Sequence, residues 1–462
     1  MASLSPSRFA ARLTLVLSIT FSFVAGALAP VAAQQRSVSL VRDAEIEALV
    51  AEYARPILEA AGLSRSGIEI VLVNDNSFNA FVAGRRIFMH TGALLMSESP
   101  NEIIGVLAHE AGHIAGGHQQ RLREQLARAQ TMAVLATLLG VGAAVGGSMA
   151  GADGLAASGS GIMAGGMEMA RRSVLSYQRT EETTADRSAI TYLERTGQSA
   201  RGMLKTFERF AGSMALSGIR ADPYQQSHPM PRERIANLET LARGSRHFER
   251  QDPPALQLRH DLIRAKIAAY TQGHQAAMRL FARDPRSLPA LYADAIGTFL
   301  SGNGRAAVAK IDAVIKAQPN NPYFHEMKGE ILMRAGRPAD AANAFGTALR
   351  LDGRKSGLIQ IGRGQALLAT GRPDAIREAV VELQTGLARE KEYAAGYRYL
   401  AQAHAQLGNI GDAELATAEG HFYSGNYRDA KIFAARAQQR VPNGSPGWLR
   451  AQDIINFRQP AR

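Results

Sequence analysis

The chain has 462 residues, 53 Lys and Arg against 41 Asp and Glu, and no cysteine. That length exceeds one ordinary core and predicts at least two domains, while 46% apolar and 20% charged residues exclude a disordered or fibrous chain. The formal charge of +12 raises nucleic acid as a partner, but acids interleave with bases, as in Arg121-Leu122-Arg123-Glu124, and no basic run alternates with aromatics. Weak attraction to anionic lipid headgroups, a peripheral membrane contact, explains the surplus better than nucleic acid does.

Arg8 and Arg12 precede an uncharged apolar stretch from Leu13 to about Ala29, and Val31-Ala32-Ala33 supplies small residues for cleavage. Residues 1–33 therefore read as a removable signal peptide; a permanent anchor is the alternative, disfavoured by the short apolar core. A secreted chain without cysteine carries neither a lipid anchor nor disulfides, which points to a bacterial periplasm.

Val41 to Ala61 has helical spacing, and Ile68 to Val73 is β-branched and strand-like. A second extended stretch around Arg86 to Met89 follows the turn-forming Ala83-Gly84, so a small sheet beside helices is expected. Ser99-Pro100-Asn101-Glu102 predicts a helix start with a Ser cap, Pro in the first turn and a Glu closing a capping box.

Thr131 to Ala150 carries no charge, and Gly142/Gly146 and Gly147/Gly151 have small-xxx-small spacing. Its length suits a membrane span, but the Gly and Ala content of residues 131–170 favours a helical hairpin or loop that touches a membrane or gates substrate.

Gln251-Asp252-Pro253-Pro254 reads as a linker dividing a first domain, 34–250, from a second, 255–462. In the second, Gly302, Gly336, Gly371 and Gly408 mark turns spaced by 34, 35 and 37 residues, the period of tetratricopeptide helix pairs. Within one such unit Gly329 allows close helix approach, Ala341 and Ala348 are small packing positions and Phe345 fills between them; Tyr423 to Ala430 begins one more, shortened unit.

His109-Glu110-Ala111-Gly112-His113 places two imidazoles one helical turn apart, where both reach one Zn²⁺, with Glu110 beside it. Zinc brings a water's pKa towards neutrality, and the adjacent carboxylate takes the proton and returns it to the leaving amine. A third ligand is required. Gly116 fits the extended HExxHxxGxxH pattern, but His118 comes one residue early and Gln119 fills the ligand slot; His118, about half a turn away on a continuing helix, reads as a solvated or cap histidine. Glu182 and Asp186, spaced i, i+4, supply the alternative: Glu182 binds zinc and Asp186 accepts the second N–H of a ligating histidine, while Glu181 reads as solvating the helix face.

His109-Glu110-x-x-His113, Arg179-x-x-Glu182-x-x-Ala185-Asp186 and Ser227-His228-Pro229-x-Pro231-x-x-Arg234-Ile235, in this order, resemble the peptidase family that contains CAAX prenyl proteases and the heat-shock membrane protease. Asn79-Ala80-Phe81 is also family-like, and Gln178 departs from the Ser usual before the Arg. The signal peptide and repeats make the chain most like a periplasmic member that carries such repeats. The resemblance implies a mostly α, zincin-like (gluzincin) protease domain with a small β-sheet, followed by a tetratricopeptide solenoid. It implies one Zn²⁺ on His109, His113 and Glu182, with Glu110 as general base and Asp186 in support.

His228 and Arg234 lie in a Pro-framed loop. Either stabilises the oxyanion of a tetrahedral intermediate, or His228 takes the open zinc position as a latch, or the pair anchors the loop. The strand from Arg85 to Met89 is expected either to bind substrate by β-addition or to be a covered edge. The leading function is proteolysis of misassembled outer-membrane proteins, with repeats recruiting substrate or assembly machinery. A chaperone scaffold with structural zinc is the runner-up, and a transmembrane protease depends on Thr131 to Ala150.

Overall fold

The computed structural model describes residues 39–149, 153–217, 228–229 and 232–459. The segment read as a signal peptide, Gly151, and Ser227 and Pro231 of the third motif lie outside them. The described chain is mostly helical with one four-stranded sheet, a protease-like part followed by repeats.

Helix α1, Ala44–Ala60, starts where Asp43 accepts from the Ile46 N–H at 2.9 Å and buries Ile46, Leu49, Val50, Tyr53 and Ile57. The sheet is built from β1 (Leu40–Val41), β2 (Glu69–Val73), β3 (Ala80–Ala83) and β4 (Arg86–His90) in the order β1-β2-β4-β3. β2 and β4 run parallel, and β3 folds back antiparallel on β4 through a two-residue turn in which Gly84 has φ +64°.

This order corrects the expected substrate edge. The strand in this stretch, Arg86–His90, is an inner one paired on both sides, and the edges are β1 and β3, of which β3 lies beside the His228 ring.

After α2 (Thr91–Met96) comes α3, Pro100–Ala115, with Ile103, Ile104, Leu107, Ala108 and Ala111 fully buried. Its expected capping box does not form: Ser99 makes no side-chain cap bond, and Glu102 accepts from the Glu98 N–H at 3.1 Å. Glu102 is instead fully buried against Arg209 at 2.7 Å and Lys205 at 3.2 Å, tertiary charges that outweigh the local motif.

The Gly/Ala-rich stretch is helical rather than a loop: α4 runs His118–Met149 and α5 Asp153–Arg195, packed side by side. Gly166 permits this, because a Cβ there would come within 2.1 Å of the Ala136 Cβ. α6 (Arg201–Ser217) and α7 (Arg232–Arg243) close the first part against α3 and α5.

Beyond Pro253 the helices pair, with α8 (Pro254–Gln272) and α9 (His274–Leu280) leading into α10 (Leu288–Leu300) and α11 (Gly304–Ala317). α12 (Pro322–Arg334) with α13 (Pro338–Leu351), α14 (Gly357–Ala369) with α15 (Pro373–Arg389), and α16 (Ala394–Gln406) with α17 (Ile410–Tyr423) repeat the arrangement. α18 (Tyr427–Gln438) and α19 (Pro446–Asn456) end it.

The marker glycines Gly302, Gly336, Gly371 and Gly408 take φ of +90°, +71°, +71° and +78°, the left-handed turn joining the helices of each pair. Phe345 lies against Gly329, where an added Cβ would meet its ring at 2.7 Å.

One apolar core runs from α1 and α3 into α8, α10, α11 and α12, joining Leu49, Tyr53 and Leu107 to Ile263, Tyr292 and Phe324. Polar contacts follow it. The Tyr53 hydroxyl is 3.2 Å from His260 Nδ1, buried Lys266 lies 2.7 Å from Asp43 and 3.3 Å from Glu45, and the Tyr292 hydroxyl donates to Glu45 at 3.0 Å.

Candidate metal centre

α3 carries His109 and His113 one turn apart, and α5 crosses it where Gly112 has no side chain: a Cβ there would lie 2.9 Å from the Ala185 carbonyl oxygen. One turn before that crossing, Glu182 faces the imidazoles. His109 Nε2 and His113 Nε2 are 3.0 Å apart, and each is 3.4 Å from a Glu182 carboxylate oxygen. His228 joins them, its Nδ1 3.3 Å from His109 Nε2 and its Nε2 3.3 Å from the carbonyl of Ala80 on β3. His109, His113, Glu182 and His228 each offer one donor atom, all within 4.8 Å of one another. Two or three imidazoles and a carboxylate are the donor set of zinc, so the residues present fit the ion.

The surroundings orient these donors. Asp186 Oδ1 lies 2.9 Å from His109 Nδ1, and Arg234 grips Asp186 through two bonds of 2.7 and 2.8 Å. Arg234 also reaches Glu182 at 2.8 Å and the Pro229 carbonyl at 3.0 Å, with its guanidinium over the Phe207 ring. Its position is behind the carboxylates, where it anchors the loop holding His228; it does not project into the cleft as the oxyanion reading required.

His118 and Glu181 also depart from expectation. His118 is buried and Glu181 half-buried, His118 Nδ1 lies 2.9 Å from His113 Nδ1, and His118 Nε2 lies 2.5 Å from Glu181, which Arg121 holds at 3.0 Å. The cause is a break at Gly116-Gly117, with Gly117 at φ +65°, which stops α3 and folds the His118 ring over Gly116. Gly-Gly was the signal that no continuing helix should be assumed.

The charges follow from burial and these partners. Burial opposes charge on His109, but Asp186 and Glu182 outweigh it and carry the pKa up to about 9. Burial pushes His113 well below the usual imidazole range, helped by the positive field of its neighbours. Glu182 is held well below the carboxylate range although burial opposes it, because His228 and His109 prevail; for Asp186, Arg234 does the same. The site thus stabilises positive charge, as a divalent cation requires.

Glu110 differs: it is fully buried, burial raises its pKa, and neither carboxylate oxygen has a hydrogen-bond partner among the described residues. Its Oε1 is 3.4 Å from His228 Nε2. It opens on a cleft of about 180 Å³ lined by Phe81 and Val82 of β3, His113, Gln119 and Tyr177. The Gln119 side chain bonds the end of β3 and the turn that follows it, donating to the Val82 carbonyl and accepting from the Gly84 N–H at 2.9 Å.

A buried divalent-cation donor set beside an orphaned carboxylate is the apparatus of a metallopeptidase. Residues 41–242 match the model of Peptidase family M48, and residues 301–342 and 327–379 match that of the tetratricopeptide repeat. The chain therefore contains an M48 metallopeptidase domain followed by tetratricopeptide repeats.

Among curated proteins it is similar to the beta-barrel assembly-enhancing protease of Escherichia coli, 24% identical over 88% of this chain and 82% of that protein. The putative beta-barrel assembly-enhancing protease of Vibrio cholerae is 25% identical over the same shares. Metalloprotease YcaL of Escherichia coli is 34% identical over 31% of this chain and 50% of its own.

Proposed function

We propose that the chain is a zinc-dependent endopeptidase of the bacterial periplasm that hydrolyses misassembled proteins, outer-membrane proteins foremost. Residues 34–250 form the protease, and residues 255–462 are repeats that dock substrate or outer-membrane assembly machinery. The M48 match and the names of the curated relatives support the reaction class and the substrate class.

His109, His113 and Glu182 would hold the zinc. When bound, it supplies Lewis acidity to a water and to the scissile carbonyl. Glu110 then accepts the proton of the attacking water and passes it to the leaving amine, a transfer eased by its raised affinity for protons. Asp186 fixes the tautomer of His109, and Arg234 holds both carboxylates in place. His228 is a latch, since its ring joins the donor cluster and reaches the Ala80 backbone that an incoming substrate strand would meet.

The observation that carries this reading is Glu110, a buried carboxylate with no hydrogen-bond partner among the described residues and the His228 ring 3.4 Å away, next to four converging donors. A scaffold with structural zinc has no use for it. Casein digestion by the wild type and by Glu110→Gln, with zinc measured in both, is the test. Equal zinc with activity in the wild type alone supports hydrolysis, and equal activity overturns it.

A further inference from the structure

The hairpin of α4 and α5 exposes an apolar tip above a cationic base. Two contacts set its register: Arg121 meets Glu181 at 3.0 Å, and Gly166 lies against Ala136. Both belong to one antiparallel alignment, in which Arg171 stands level with Thr131 and Arg128 level with Val174. Beyond that level α4 is uncharged through Met149, and Asp153 is the one charge on α5 before Glu168.

The tip is not packed against the body. Leu138 and Leu139 are 64% and 66% exposed, with Val134, Leu135, Ile162 and Met167 also open to solvent. Soluble surfaces rarely carry so continuous an apolar patch without a partner.

The base of the tip identifies that partner. Arg128, Arg171 and Arg172 ring it; Arg172 is paired with Glu168 at 2.6 Å, whereas Arg128 and Arg171 pair with no carboxylate among the described residues. An apolar segment that ends in a collar of exposed arginines, with Glu168 the one acid beside them, complements a bilayer whose surface is anionic. Side-by-side docking of two parallel copies would put the same arginines beside their own equivalents, whereas anionic headgroups would neutralise them. The 19 residues from Thr131 to Met149 rise about 28 Å, which suits immersion in a hydrocarbon layer of about 30 Å. Both ends of the hairpin return to the protease, so the tip enters and leaves from one side.

We propose that the α4–α5 hairpin is a membrane anchor, its tip immersed in a bilayer and Arg128 and Arg171 on anionic headgroups. This does not depend on the hydrolytic reading. It places Glu182 about 16 Å along α5 from the headgroup level at Arg171, within reach of chains emerging from that surface.

Flotation of the chain from Gln34 onward, so that residues 1–33 cannot themselves bind lipid, tests the anchor. Co-flotation with phosphatidylcholine–phosphatidylglycerol vesicles is expected, weakened by salt and by omitting phosphatidylglycerol. The double variant Leu138→Asp/Leu139→Asp should lose flotation. Arg128→Glu/Arg171→Glu should lose roughly tenfold or more on the anionic vesicles, each variant keeping the wild-type unfolding curve. Wild type left at the bottom of the gradient, or either variant floating as the wild type does, overturns the proposal. A dimer that Leu138→Asp/Leu139→Asp splits, with no wild-type flotation, overturns it in favour of a second copy.

Discussion

His228 Nδ1 lies 3.1 Å from both carboxylate oxygens of Glu182, so a loop residue closes the donor set that α3 and α5 build. If it occupies the position that water or substrate needs, His228→Ala raises casein hydrolysis several-fold with zinc content unchanged. A fall in rate returns His228 to the oxyanion role, and an unchanged rate removes both.

Glu110→Gln keeps the shape of the side chain and loses its ability to take a proton. Peptidase activity is expected to fall by roughly 10²–10⁴ while zinc binds at the same stoichiometry. Atomic absorption on the purified variant separates lost chemistry from lost metal.

His118 supports His113 from the far side of the ring, 2.9 Å away, and is itself held by Glu181. Removing such a partner costs about 10–100-fold in metal affinity. Competition with a zinc chelator should show this loss for His118→Ala, and unchanged affinity would make the pair merely structural.

Gln119 occupies backbone groups at the free side of β3 that an added substrate strand would use. One hydrogen bond nets about 0.5–1.5 kcal/mol, so Gln119→Ala should lower KM for an extended peptide by about threefold to tenfold with kcat little changed. A lower kcat at constant KM would show that Gln119 positions the cleft instead.

Glu326 sits in the core shared by α1 and the first repeats, with one carboxylate oxygen lacking a hydrogen-bond partner among the described residues. Burial raises its pKa well above the usual range, against the opposing pull of Lys266. A raised folded pKa means stability that is full below the unfolded value and lost as pH climbs from there towards the folded one. Glu326→Gln should therefore melt higher than wild type at neutral pH, by roughly 2–4 °C, and the gap should vanish in acid below the ordinary Glu range. A gap independent of pH would refute the ionisation account.

Local spacing carried much of this arrangement. The His109/His113 turn, the shared face of Glu182 and Asp186, and the glycines that end each repeat's first helix are patterns within a few residues, and helix geometry turns them directly into placement. What could not be read depends on distant partners. Which strand lies at the sheet edge is decided by how β3 folds back on β4. Whether Glu102 caps its own helix is decided by Arg209 and Lys205, about a hundred residues later. The position of His118 turned on a helix break at Gly116-Gly117, which a continuing-helix argument overlooks.

The core that joins Tyr53 to Tyr292, and the Lys266 contacts with Asp43 and Glu45, make the two stretches on either side of Gln251–Pro254 mutual folding partners. A shortened product ending at Gln251 would turn Leu49 and Tyr53 outward and leave Glu45 without its countercharge. Recombination that exchanges the repeat array for that of another enzyme faces the same obstacle. The repeats and the part before them are therefore expected to fold and unfold as one unit.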